Sequence, residues 1–445
     1  MYADTTIVAP ATPHGYGGIS VIRLSGPDSL KIIENNISCN SEALQNNPRL
    51  AITTLLTNNG GKEIDQIIAT YFISPNSYTG EDVLEISCHG NPAIVQDIIS
   101  VCTQNGAEMA EPGEFTKRAF LNGKIDLIQA EAVGELINAK SAEGAKLNHK
   151  IVSGGLSSEL SSLKDKLITL LASFEYSLDI SEEELGVDYF PGVKETIDNI
   201  TSSVVSLLDG HRQARLLTSG ASVVIAGPPN VGKSTLLNAL SKTDRAIVSG
   251  EPGTTRDPLD VMLLLDGVPV RLIDTAGLRD TKEPIEKEGV ARTKKHINES
   301  DLSILISSPD VRSNSQKDLG ENFISILNKS DLLDPGFDSN GFDCVVSAKH
   351  NDRLDDLMIL IKSRLSLSPA ISDIAPLTSA RQYDSLLDVH SSLIRCADIL
   401  NSKHNQLELL AADVRSAIES LDVILGKTTT DEILDSVFNS FCVGK

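Results

Sequence analysis

The eight residues Gly227-Pro-Pro-Asn-Val-Gly-Lys-Ser234 follow an apolar run, Ser222–Ala226, and lead into a helical one, Thr235–Leu240. An apolar strand of this kind is buried on both faces, as strands are in parallel sheets covered by helices. The juxtaposition therefore places an α/β unit in mid-chain. Glycines at the first and sixth positions of the loop let its backbone N–H groups wrap a phosphate. Lys233 would neutralise the β and γ phosphates and Ser234 would offer its hydroxyl to Mg2+. The helix beginning near Thr235 directs its positive end at the same charge.

Four further motifs follow in order: Gly253-Thr-Thr-Arg-Asp257, Asp274-Thr-Ala-Gly277, Asn328-Lys-Ser-Asp331 and Ser347-Ala-Lys349. A phosphate loop alone names no base. The carboxylate of Asp331 can accept two hydrogen bonds, from the N1–H and N2–H2 groups of guanine, which adenine cannot donate. Asn328 and Lys329 belong to the same loop, and Ser347 and Ala348 close over the O6 edge. Thr254 or Thr255 would be a second Mg2+ ligand that senses the γ-phosphate, with Thr255 the preferred choice. Asp274 would hold the hydration shell of that ion while Gly277, in one turn with Thr275 and Ala276, approaches the γ-phosphate. The nucleotide contacts then extend over Asn230, Val231 and Gly232 in the first loop and Ser249, Gly250, Glu251, Pro252 and Gly253 before the threonines.

Regulatory GTPases of the Ras kind place a glutamine after Asp-Thr-Ala-Gly to orient the attacking water, and this chain has Leu278 there. Another polar group must do that work. Glu283, Glu286 and Glu288 are the candidates, against the plainer reading that all three are solvated helix charges.

The flanks are larger than the nucleotide unit. With 445 residues, 40% of them hydrophobic, the chain is long enough for two to four globular domains. Residues 1–118 alternate β-like runs (Ile19–Leu24, Ile64–Ile73, Val83–Ser87) with helical ones (Asp28–Glu34, Ile94–Cys102), an α+β pattern. Beyond 119, Leu127–Ile151, Leu156–Leu178 and Val193–Leu216 carry apolar residues at helical spacing. From Ala221 to Leu367 strands and helices alternate. Val261–Leu265 and Val268–Ile273 flank Asp266-Gly267, a type I′ hairpin signal, and further strands are expected at Leu302–Ile306, Phe323–Leu327 and Cys344–Val346. Helical texture returns from Leu377 to Phe441. Helical sequence on both sides of an α/β unit implies insertion of that unit into a helical domain. The expected divisions are 1–118, 119–217, 218–376 and 377–445.

Lys plus Arg number 39 against 61 Asp plus Glu, a net charge of −22. Any RNA contact must then be local or delegated to a partner. Six scattered cysteines form no Cys-x-x-Cys pair or zinc spacing, so reduced thiols in a cytoplasmic protein are expected. No secretory leader or membrane span is evident.

The stretches TIVAPATPHGYGGISVIRLSG, PNSYTGEDVLEISCHG, PGEFTKRAFLNGKIDL, GTTRD, DTAGLR and the terminal FCVGK resemble the bacterial and organellar GTPases that help install a 5-carboxymethylaminomethyl group on wobble uridine of tRNA. The resemblance covers the whole chain. It implies a multidomain α/β plus all-α fold, with a P-loop GTPase domain inserted in a helical domain and an α+β folate-binding and dimerising domain in front. It further implies K+ held at Asn230, Ser249, Glu251 and Thr254, where it supports the charge that develops in phosphoryl transfer. The family's water-orienting glutamate falls on Glu286. A 5-formyltetrahydrofolate would meet Arg23, Glu81, Lys124 and Lys445, and a homodimer would join an FAD-dependent partner protein in a heterotetramer that acts on tRNA.

Cys442 is more plausibly a packed thiol than a nucleophile toward uridine. His89 is read as structural or folate-adjacent rather than as a general base. Two departures from the common pattern are Ser307-Ser-Pro-Asp310 after the strand at 302–306 and the short polar segment 309–322. The competing reading is a regulatory GTPase that switches RNA or membrane partners without folate chemistry.

Overall fold

The computed structural model describes residues 5–39, 41–178, 189–243, 260–274, 300–311, 322–333, 339–367, 375–402, 406–428, 430–439 and 441–444. In chain order these form β1 (Ile7–Pro10), β2 (Gly17–Ser25), α1 (Ser41–Asn46), β3 (Ile52–Thr57), β4 (Glu63–Phe72), β5 (Val83–Gly90), α2 (Pro92–Gln104), β6 (Glu108–Met109) and α3 (Glu114–Leu121). There follow α4 (Leu127–Ile137), α5 (Ala142–Val152), α6 (Gly155–Leu178), α7 (Tyr189–Thr218), β7 (Ala221–Ala226), α8 (Lys233–Leu240), β8 (Asp260–Leu265), β9 (Val268–Asp274) and β10 (Leu302–Ser307). The remainder is β11 (Phe323–Leu327), β12 (Cys344–Val345), α9 (Leu354–Leu365), α10 (Ala380–Asn401), α11 (Leu407–Leu425) and α12 (Asp431–Phe438).

Contacts gather into two units. One is built from residues 1–134, 151–200 and 388–445, and the other from 135–150 and 201–387.

The first unit holds a six-stranded sheet in the order β3-β4-β5-β2-β1-β6. Burial alternates along β2, β4 and β5, as it must when one face of a pleated strand is covered. Ile22, Leu24, Ile67, Ala69, Tyr71, Leu84 and Ile86 share a core with Ile98, Ile99 and Cys102 of α2. Asn91 caps α2, its side chain accepting from the Ala93 N–H, and Pro92 occupies the first turn. In the helical part, α6 packs along α11, and Lys164 pairs with Asp422 between them.

The second unit has the order β12-β11-β10-β7-β9-β8, parallel except for the β8–β9 hairpin. Strands β7 and β10 are buried nearly throughout. The chain leaves β7 for the β9 side and later returns to β10 on the other, so the loop after β7 lies where the winding reverses. Ligands of open α/β sheets bind at that position. Asp266 and Gly267 have φ of 50° and 83°, the two positive angles that a type I′ turn requires.

Two expected helices differ. Asp28–Glu34 yields a short 3-10 turn, Lys31–Ile33. Adjacent β-branched Ile32 and Ile33 and the Asn35-Asn36 pair disfavour continuation, and both isoleucines are already buried within the single turn. Leu127–Ile151 is two helices, α4 and α5, separated at 138–141. The Ser141 hydroxyl accepts from the Gly144 N–H, which starts the second helix afresh.

Leu421 of α11 is wholly buried. Leu421→Ala should cost about 2–5 kcal/mol through the cavity it leaves, read as a lower denaturation midpoint.

Candidate functional site

Strand β7 delivers the glycine loop and α8 begins at its lysine. Lys233 is buried and turns back on the loop, donating to the carbonyl oxygens of Gly227 at 2.9 Å and Pro228 at 2.8 Å. Those carbonyls take the acceptor role that phosphate oxygens would fill. Ser234 Oγ donates to Asp274 Oδ2 at 2.9 Å, so the first loop and the end of β9 meet at two oxygen donors. Hard oxygen ligands of this kind suit Mg2+.

The Asn328–Asp331 and Ser347–Lys349 loops are joined to the glycine loop by one amide. Asn328 Nδ2 donates to the carbonyl of Val231 at 2.9 Å, and its Oδ1 accepts from the Ala348 N–H at 3.0 Å. Gly232 is required there, because a Cβ would lie 2.4 Å from Asn328 Nδ2. Lys329 takes a left-handed φ of 62° and starts the turn that carries Asp331. Ser347 Oγ donates to Asp331 Oδ1 at 2.5 Å, and this bond holds the Asp331 carboxyl below its ordinary range. His350 Nε2 stands 3.8 Å from the other carboxylate oxygen.

A second cluster lies in the first unit, around the loop of residues 74–82. The Arg23 guanidinium pairs with Glu85 at 2.8 Å and sits 5.4 Å from the Tyr78 ring centre and 5.7 Å from that of Phe115. Burial raises the Tyr78 phenol above its usual pKa, and its hydroxyl is 2.9 Å from Thr116 Oγ1. Lys124 Nζ donates to the Pro75 carbonyl at 2.9 Å, with its stem against Gly80. Glu81 accepts from Ser25 Oγ at 2.7 Å and from Arg118 at 3.1 Å. Arg23, Glu81 and Lys124 thus converge on one loop. Arg118, which sequence reasoning missed, lies behind it.

A family description, GTP-binding protein TrmE N-terminus, matches residues 6–124. A second, MnmE helical domain, matches residues 127–442, more than half of the chain. The chain is 37% identical over 457 residues to the tRNA modification GTPase MnmE of Geotalea uraniireducens, covering 100% of both. It is 38% identical over 455 residues to the protein of the same name from Pseudothermotoga lettingae, covering 99% of each. The chain belongs to the MnmE family of tRNA modification GTPases. Among solved structures, the G domain of the T. maritima FeoB iron transporter matches 33% of the chain and 96% of its own length at 25% identity. Its TM-score of 0.24 gives that likeness no weight.

Within this MnmE-family chain, Asn230, Val231, Gly232, Lys233, Ser234, Thr235, Asp274, Asn328, Lys329, Asp331, Ser347 and Ala348 fall in the described part of the nucleotide unit. Ser249, Gly250, Glu251, Pro252, Gly253, Thr254, Thr255, Thr275, Ala276, Gly277 and Glu286 lie outside the described residues, as do Leu278, Glu283, Glu288, Lys445 and most of the 309–322 segment. Just before Lys445, Val443 bridges Pro112.

Cys442 is exposed rather than packed, because it sits in the short tail after α12 while Phe441 takes the buried place. Cys88, Cys102 and Cys396 are buried, and burial pushes their thiols up to about 11, 12 and 12. His89 is exposed but held by Asp65, with Nδ1 2.7 Å from Oδ1. Among the described residues no cluster of three or more His, Cys, Asp or Glu is placed to hold a metal, and no helix is long and apolar enough to cross a membrane.

Asp331→Asn replaces one of two acceptors by a donor and should lower GTP affinity by about 100-fold or more while improving binding of xanthosine triphosphate. Equilibrium titration with fluorescent nucleotides checks both. Because the Ser347 bond depresses the Asp331 pKa, the ionised form needed to accept guanine persists to lower pH. Ser347→Ala should therefore make guanine-nucleotide affinity fall at a higher pH than in the parent, measured as Kd from pH 3.5 to 7.

Proposed function

We propose that this chain hydrolyses GTP as a component of a tRNA-modifying assembly that adds a carboxymethylaminomethyl or aminomethyl group at C5 of wobble uridine. Full-length similarity to relatives named tRNA modification GTPases supports the reaction class. One observation carries the nucleotide assignment. Asn328 ties the phosphate loop to the Ser347-Ala348 loop beside Asp331, so a single ligand with a polyphosphate at one end and a guanine edge at the other fits the whole.

Mg2+ at Ser234 and Thr255, near Asp274, would supply charge neutralisation at the β and γ phosphates. The contact between Ser234 and Asp274 is the observation that fits it. K+ at Asn230, Ser249, Glu251 and Thr254 would add a further positive charge where an arginine finger acts in other GTPases. Glu286 would orient the attacking water, the task Leu278 cannot perform. Lys233 and the N-terminus of α8 stabilise the charge that grows on the phosphoryl oxygens.

The cluster around residues 74–82 is read as the site of a 5-formyltetrahydrofolate. Arg23, Lys124 and Lys445 suit its anionic glutamyl tail, and Glu81 suits the N–H edge of its pterin. The folate would supply the one-carbon unit, with glycine or ammonium as the amine and an FAD-dependent partner sharing the chemistry. The protein is read as a cytoplasmic homodimer that forms a heterotetramer with that partner. Its functional segments are 1–118 for folate and dimerisation, 119–217 with 377–445 as the helical domain, and 218–376 for GTP.

Deletion of the protein should abolish the C5 modification of wobble uridine, read by mass spectrometry of tRNA nucleosides. An unchanged nucleoside profile would remove the pathway assignment. Glu286→Ala should leave GTP affinity within about threefold and lower kcat by about 100-fold or more, because water orientation acts on the transition state. Single-turnover hydrolysis in K+ buffer checks this.

A further inference from the structure

Among the described residues Arg118 is the largest side chain to be fully buried, and its surroundings are unusual. A guanidinium has five N–H donors. Here Nε donates to Glu114 Oε1 at 3.3 Å, and Nη2 donates to Glu114 Oε1 at 2.8 Å and Thr5 Oγ1 at 3.4 Å. Nη1 donates to the Thr5 carbonyl at 2.8 Å and to Glu81, 3.1 Å from Oε2 and 3.3 Å from Oε1. All five donors are spent.

A buried cation needs a partner, and Glu114, one turn away on α3, already provides one. The second carboxylate, Glu81, comes from a loop 37 residues away in sequence and leaves the group with two negative charges against one positive. Glu81 takes the Nη1 N–H that the Thr5 carbonyl leaves over, and in return its carboxylate is fixed against α3. Glu81 is held from behind by Arg118 and by Ser25 Oγ, while its side chain keeps 16% of its surface exposed. Oε2 accepts from both Ser25 and Arg118, whereas Oε1 accepts only from Arg118 at 3.3 Å, so Oε1 keeps acceptor capacity for a ligand N–H.

We infer that Arg118 is the positioning residue for Glu81, fixing its carboxylate to accept from the amino-bearing edge of a pterin ring. This rests on the folate reading above. The arrangement sets discrimination between a 2-amino-4-oxo pterin and a ring lacking the amino group, rather than general affinity for the tail. Arg118→Lys keeps the charge but has three donors on a single nitrogen, so it cannot serve Glu114, Thr5 and Glu81 in their present directions.

The test is calorimetric titration of the full chain with 5-formyltetrahydrofolate and with a 2-desamino-2-methyl folate analogue. The parent should prefer the first ligand. Arg118→Lys should lose about 10- to 100-fold in affinity for it while binding the analogue nearly as the parent does, so that the preference collapses. Ser25→Ala, which removes the other grip on Glu81 without burying a new charge, should shrink the preference by about fivefold. Should Arg118→Lys not fold, as judged by its thermal transition, Ser25→Ala decides the matter. A parent preference that both variants retain in full overturns the inference and leaves folate binding standing. A parent that binds neither ligand overturns the folate reading and the inference with it.

Discussion

The buried side chain of Asn328 is the interaction on which the proposed nucleotide site depends. Its amide spans from the Val231 carbonyl to the Ala348 N–H, and its backbone N–H donates to the Ser307 carbonyl at the end of β10. One residue thereby sets the spacing between the loop proposed to receive phosphates and the loop proposed to receive the base. An amide with both ends satisfied inside a protein resists rearrangement, since losing either partner leaves a desolvated polar group. The glycine at 232 is a consequence, as only a residue without a Cβ lets the loop pass Asn328 so closely.

Both candidate sites use one device. Asp331 receives a serine hydroxyl, Ser347 Oγ at 2.5 Å, and Glu81 receives another, Ser25 Oγ at 2.7 Å. Near each in the chain or in space is a buried polar side chain that ties distant segments together, Asn328 by one donated and one accepted bond and Arg118 by donation alone. The ring edges proposed for the two sites, guanine and pterin, share an N–H beside an amino group, and an ionised carboxylate held at a fixed angle complements both. The strategy is the same although the two folds differ.

Much of this was legible in the sequence where the chemistry is local. The strand–glycine loop–helix unit, the Asp266-Gly267 hairpin and the alternating strands of the first sheet are set by residues within a few positions of one another. The helix expected at Asp28–Glu34 failed because its apolar spacing is satisfied by a single 3-10 turn. Arg118 was invisible for another reason. Glu114 and Arg118 stand at i and i+4, which reads as an ordinary helix ion pair, and nothing local says that Glu81 and Thr5 fold onto the same guanidinium. The Asn328 bridge was hidden likewise. The motif announced guanine recognition, whereas the bonds to Val231 and Ala348 depend on how β7, β11 and the loop after β12 come together.

The most direct test of this account is the affinity of Asn328→Ala for GTP and GDP, measured alongside its thermal transition. With the transition retained, both affinities should fall by about 10- to 100-fold, the cost of leaving two buried backbone groups without a partner and the two loops unlinked. Affinities within about twofold of the parent, in a protein just as well folded, would contradict the claim that this one amide holds the phosphate and base halves in register.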